Sequence, residues 1–138
     1  MSTRNFRAIE ATFRESPAIA KQQVLASVLN AIASNTLSTL PQHFTEDIEL
    51  HIHGFPELDG AWHGCDAVVK ALANNFGKVT DQVPQIETVI EQGDNIAMLI
   101  NETGILNQRK YNVRVTVWFT FEGSRIERVV EFAHLVFC

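Results

Sequence analysis

The sequence predicts an α+β domain in which a curved antiparallel sheet wraps on N-terminal helices to form a cone. Three observations carry this expectation. Apolar residues recur at helical spacing through the first third of the chain, the period changes to alternation from about Asp81, and the alternating part divides into four long segments. Those segments run near 82 to 92, 95 to 106, 110 to 121 and 125 to 136, separated by the turn-forming "GD", "NQR" and "EGS". Strands of that length exceed the usual five or six residues or so and are expected to twist and curl. A curled sheet with helices across its mouth makes a cone.

The elements follow in order. Phe6, Ile9 and Phe13 stand at helical spacing over 3 to 15, with Glu10 and Arg14 four apart as a supporting pair, so residues 1–16 read as a helical extension ahead of a cone domain at 17–138. Ser16-Pro17 is an N-cap followed by a first-turn proline. The helix it opens carries Val24, Leu25, Val28, Leu29 and Ile32 on one stripe and is expected to end near Ser34-Asn35. Leu37, Leu40 and Phe44 continue the period, but Pro41 cannot sit deep in an α-helix, so that helix is short or starts late. A first strand then leads through "IELHIH" into a loop, "GFPELDGAWHG". Asp66 favours the next helix start, with Val68, Val69, Leu72, Ala73 and Phe76 inside and Gly77 as the stop. Of the four later strands the clearest is "YNVRVTVWFTF", which sends Tyr111, Val113, Val115, Val117, Phe119 and Phe121 one way and Asn112, Arg114, Thr116, Trp118 and Thr120 the other.

The totals exclude several classes. With 138 residues and 46% apolar content, the chain can bury a core without staples. A net charge of −5 with dispersed basic residues argues against a nucleic-acid surface. The N-terminal stretch has no apolar signal region and no run approaches a membrane span, so neither membrane nor nucleic acid is expected as a partner and the expected location is cytoplasmic. Cys65 and Cys138 form neither a disulfide framework nor a zinc pattern.

The order of elements, "HFTEDIELHIHG" into the first strand, "DGAWHGCDAVVKAL" into a helix and the closing "VWFTFEGSRIERVVEFAH" together resemble the nuclear transport factor two-like superfamily. Within it the chain is most similar to the SnoaL-like polyketide cyclase and ketosteroid isomerase-like branch, over roughly residues 18 to 136. The resemblance implies polar side chains entering the cone from the first and last strands. His51 or His53 falls where ketosteroid isomerases carry an Asp general base, and Glu131 and His134 match positions where SnoaL-like sequences show a Glu and then an Asp. Ketosteroid isomerase stabilises its oxyanion with a Tyr and a protonated Asp. Here Tyr111 is the only tyrosine, and valine stands where that Asp would be, so steroid isomerisation by that constellation is not expected.

The first strand's period of two puts Glu49, His51 and His53 on one face and Ile48, Leu50 and Ile52 on the other. If the apolar set packs on helices or a dimer partner, the polar set should look into the cone, with His51 and Glu131 as its acid–base pair. The other candidates for the cavity are His53, Trp62 as an aromatic lid, Val117, Phe119 and Glu102. Of Asn101 and Glu102 one is expected to face the cavity and the other solvent, with Glu102 the binding candidate. Glu131 and His134 differ by three, so a regular strand cannot aim both inward; Glu131 is placed inside and His134 at the rim.

A competing reading is a cupin-like metal site at His51, His53 and Glu57, but the glycine expected before His51 is Thr45 and the second cupin element is missing. No metal or other cofactor is expected. The sequence thus points to a small apolar ligand in the cone and an acid–base enzyme of isomerase, cyclase or dehydratase type, with a non-catalytic binding or dimerisation module as the alternative. Trp118 among Arg114, Thr116 and Thr120 points to a homodimer through the outer sheet face.

Overall fold

A computed structural model describes residues 20–34 and 36–135. The expected helix over 3 to 15, the extension 1–16 and the Ser16-Pro17 cap lie outside the described residues. Helix α1 (Ala20–Ala33) buries Leu25, Val28 and Ala31, spaced three apart on one stripe. Lys21 ties it to the sheet: its Nζ donates to the Gly93 carbonyl (2.9 Å) and Asp94 Oδ1 (3.1 Å). The segment holding Pro41 is a 3-10 helix (Leu37–His43) with Leu40 fully buried. Its short length accommodates a ring that would cost an interior α-helix a hydrogen bond.

Strand β1 (Phe44–His53) is followed by a short β2 (Gly60–His63), helix α2 (Cys65–Gly77) and the long strands β3 (Val79–Gln92), β4 (Asn95–Leu106), β5 (Arg109–Glu122) and β6 (Arg125–Leu135). The six form one sheet in the order β2-β1-β6-β5-β4-β3. The β3–β6 meander is antiparallel as expected, but β1 runs parallel to β6, with Ile52 opposite Glu131 and His53 opposite Phe132. The loop reading of residues 54 to 64 also needs correction. Its second half is β2, which pairs Trp62 with Leu50 and Gly60 with Ile52. The remaining turn closes on Asp59, whose Oδ1 accepts the Phe55 N–H at 2.7 Å.

Turn chemistry sets the meander. Asn107 and Gln108 both have positive φ (52° and 66°), the two-residue hairpin geometry whose twist matches the flanking strands. Strand β3 carries two register shifts, one around Asp81 (φ 52°) and one between Ile86 and Thr88. Such bulges bend a strand and strengthen its twist, which curls the far edge of the sheet over the helices. The core fills the concave side, where Ile48, Leu50, Met98, Val113, Phe121 and Ile126 are buried. Among the described residues, no helix is long and apolar enough to cross a membrane.

Candidate functional site

A cavity of about 140 Å³ opens between the concave sheet face and helices α1 and α2. Its walls are aliphatic, with Phe44, Phe55, Phe76 and Phe119 among them, and its polar lining is Asn75, Gln82, Glu102 and Glu131. The volume is close to that of a buried apolar cavity able to hold benzene, so the enclosed part has room for about one ring.

Glu102 comes from β4 and Glu131 from β6, on the two sides of β5. Each is aimed inward by the alternation of its strand: Met98 and Ile100 precede Glu102 on the concave face, and Val129 and Ala133 flank Glu131. Two neutral donors reach Glu102. The Tyr111 hydroxyl donates to Oε2 at 2.8 Å and Gln82 Nε2 to Oε1 at 2.9 Å. Burial pushes the Glu102 carboxyl above its ordinary range, and these two hydrogen bonds pull back toward the ionised form. Glu131 is pushed up to about 7, first by burial and then by the charge of Glu102. Tyr111 is raised by burial and by Glu102, so its hydroxyl stays a donor at every working pH. Two carboxyls in one cavity are thus held apart. Glu102 is the carboxyl held by hydrogen bonds, and Glu131 is the one near its midpoint at neutral pH.

The support behind Glu102 is built from small residues and ring packing. Gly104 lies opposite Tyr111 in the β4–β5 pair, and a Cβ there would sit 2.6 Å from the Tyr111 hydroxyl. Phe55 meets the Tyr111 ring edge-on, with centroids 5.4 Å apart. Tyr111→Phe should therefore leave the half-buried Glu102 carboxyl one donor short and cost about 1–3 kcal/mol in chemical denaturation. A variant as stable as wild type would show that the hydroxyl does not support Glu102.

The sequence-derived candidates divide into two groups. Glu102, Glu131, Val117 and Phe119 all line the cavity. His51, His53, Trp62 and His134 do not. His51 and His53 lie on the outer sheet face, across from Val130 and Phe132 of β6, while Leu50 and Ile52 face inward and line the cavity. The expectation separated packing on the helices from looking into the cone, yet the helices cover the concave side, so both describe the same face. Burial of the apolar set of β1 consequently turns its histidines outward. His51 Nε2 stands 3.8 Å from Glu49 Oε1, and the His53 ring stacks on Phe132 at 5.2 Å, so the expected pairing of His51 with Glu131 does not form. His134 is exposed opposite Arg114, the outward placement that its three-residue offset from Glu131 dictates. Trp62 is half-buried against the core and packs over Gly60, whose Cβ would meet its ring at 2.7 Å.

The cupin-like trio is likewise dispersed. His51 and His53 stack with centroids 6.4 Å apart, and the Glu57 carboxylate accepts a hydrogen bond from the Asn107 amide. Among the described residues, no group of three or more His, Cys, Asp or Glu side chains is placed to hold a metal ion.

Sequence reasoning missed Asn75, Gln82 and the role of Tyr111. Asn75 stood on the α2 stripe between Leu72 and Phe76, and a polar residue on an apolar stripe was the available signal. It is only 6% exposed and its Nδ2 is buried without a hydrogen-bond partner. Gln82 carried no such signal, because the bulge at Asp81 shifts the inward parity of β3 from Val79 to Gln82.

Comparison with known proteins gives a consistent fold. The SnoaL-like domain family profile matches residues 25–129. No curated protein matches the chain. Among solved structures, a nuclear transport factor two-like protein of unknown function from Burkholderia pseudomallei is similar at 18% identity, with TM-score 0.72 over 83% of this chain and 90% of that one. A provisionally named SnoaL-like polyketide cyclase from Shewanella putrefaciens gives 13% identity and TM-score 0.74 over 91% and 86%. A provisionally named isomerase from Rhodopseudomonas palustris gives 17% identity and TM-score 0.71 over 86% and 91%. At these identities the likeness establishes the fold, and the chemistry rests on the site itself.

Proposed function

This chain belongs to the SnoaL-like domain family, and we propose that it is an acid–base enzyme of isomerase, cyclase or dehydratase type acting on a small, largely apolar substrate in the cone cavity. The observation that carries this reading is Glu131: a carboxyl facing an apolar cavity and held near a midpoint of about 7, with a second, half-buried carboxyl lining the same cavity. A group near its midpoint at neutral pH is present in both forms, so it can donate a proton at one atom of a substrate and accept one at another. Glu102, held by Tyr111 and Gln82, is the second cause of that raised midpoint after burial. Against a purely structural module stands the open volume. Phe55 lines the cavity without filling it, and Trp62 is not in its lining.

Proton transfer is testable before the natural substrate is known. In D2O, the protein should accelerate deuterium incorporation into members of a panel of one-ring ketones and enones, with a pH profile governed by a group near 7. Incorporation no faster than in buffer across the panel would overturn the reading.

We further propose a homodimer through the outer face of the sheet. Strand register places His51, Val130, Trp118, Ala97 and Ile90 in one row across five strands, and His53, Phe132, Thr116, Leu99 and Thr88 in the next. Ile90 (61% exposed), Trp118 (46%) and Phe132 (50%) make these rows an exposed apolar band. Polar rows flank it, with Glu49 and Arg128 on one side and Arg114 and His134 on the other. A tryptophan at the centre of an apolar patch with a polar rim is the usual anchor of an interface. Trp118→Asp should sediment as a monomer under conditions where wild type is a dimer; a variant dimer as tight as wild type would contradict this.

A further inference from the structure

We infer that the ligand class of this cavity is a small hydrophobic amine, bound as a cation with its nitrogen toward Glu102 and Glu131 and its hydrocarbon against the phenylalanine wall. The inference rests on the reading of the cavity as a ligand site and narrows the chemistry it accepts. Two carboxyls face one cavity of about 140 Å³, and among the described residues no Lys, Arg or His side chain lines it. The donors that reach the pair, Tyr111 and Gln82, are neutral and both go to Glu102. A carboxylate removed from water is stabilised by a nearby cation. A neutral ligand offers the two carboxyls no counter-charge, and an anionic one opposes the ionisation of either. The rest of the wall suits the hydrocarbon part of the same ligand. Phe44, Phe55, Phe76 and Phe119 line the cavity, and packing the apolar body of the amine against them removes it from water.

The proton balance is simple. A neutral amine entering the cavity takes the proton of the Glu131 carboxyl, an N–H bond forming as the O–H bond breaks, and an ammonium–carboxylate pair results. An amine entering already protonated leaves that proton to be released to the buffer. Glu131 is thus the group whose proton moves when the amine binds, to a neutral amine or to the buffer.

Three probes of one size and different charge test this by calorimetry at pH 7: cyclohexylamine, cyclohexanol and cyclohexanecarboxylate. Cyclohexylamine should bind wild type about tenfold or more tighter than cyclohexanol, the carboxylate should bind weakest, and Glu131→Gln and Glu102→Gln should each reduce the preference for the amine while leaving cyclohexanol binding in place. Cyclohexanol binding as tightly as cyclohexylamine, or the amine preference persisting unchanged in both variants, would overturn the amine assignment and leave the proton-transfer reading standing. Failure of all three probes to bind would overturn both, since it would remove the ligand site they share.

Discussion

Glu131→Gln is expected to yield a protein that has lost proton transfer and become more stable above neutral pH. General acid–base groups contribute on the order of a hundredfold to ten-thousandfold, and that is the expected loss of turnover, or of deuterium incorporation into a responsive ketone. The stability change has the opposite sign. In the folded protein the Glu131 carboxyl is raised to about 7 from an ordinary 4.5. A raised folded value means that the native state holds this proton more tightly than the unfolded chain does. The resulting stability is fully present below about pH 4.5 and is lost as pH rises through 7. The difference corresponds to about 3 kcal/mol between those limits. Glutamine keeps the shape and never ionises, so the variant should match wild type near pH 4 and exceed it progressively toward pH 8.5 in urea denaturation. A variant whose stability tracks that of wild type across this range would show that Glu131 is not buried as described. Loss of activity combined with gain of stability is the signature of a residue kept for chemistry.

The largest structural effect is expected at Gly54. This residue follows directly after β1 with φ +91°, and a Cβ there would lie 2.0 Å from the Ala133 carbonyl oxygen on β6. Neither the dihedral nor the space admits a side chain. The contact atom belongs to the backbone of a paired strand, so relief requires β1 and β6 to separate. Gly54→Ala should cost on the order of 3 kcal/mol or more, combining left-handed backbone strain with overpacking. Ala133 stands two residues beyond Glu131 on the same face, so the damage should reach the site as well as the fold. Gly77→Ala is the internal control: nothing lies within 4 Å of its added Cβ, and the substitution at the end of α2 should be neutral or stabilising by a few tenths of a kcal/mol. Equal stability of the two variants would contradict this packing of β1 on β6.

The parts of the fold legible in the sequence are those where one local rule decides. The meander is legible because turn residues with positive φ, Gly93, Asn107, Gln108 and Gly123, punctuate long alternating runs. The inward set of β5, Val113 through Phe119, is legible because no bulge interrupts its alternation against β4. Glu131 was legible as a carboxyl on an otherwise apolar strand, and Glu102 as one of two polar residues in another. Where layering decides, local rules fail. The two faces of β1 could be read from its residues, but not which face the helices cover, and that inverted the placement of His51 and His53. Parallel pairing of β1 with β6 leaves no mark in either strand. The four residues of β2 are too few for a period to show, and in β3 the bulge at Asp81 conceals Gln82 by changing the parity of the strand. Asn75 and Tyr111 belong to a third kind. Their own positions were readable, but their relation to Glu102 and Glu131 exists only across the curl of the sheet.

The central claim is that Glu131 is an ionisable group poised near neutrality in an apolar cavity because of burial and the charge of Glu102. A pH titration of the Glu131 side-chain carboxyl by carbon-13 NMR, in wild type and in Glu102→Gln, tests it without knowledge of the substrate. The expected wild-type midpoint is about 7, and it should fall once Glu102 is neutral, because one of the two causes of the shift is then gone. A wild-type midpoint at the ordinary 4.5, or one that Glu102→Gln leaves unmoved, would contradict the account.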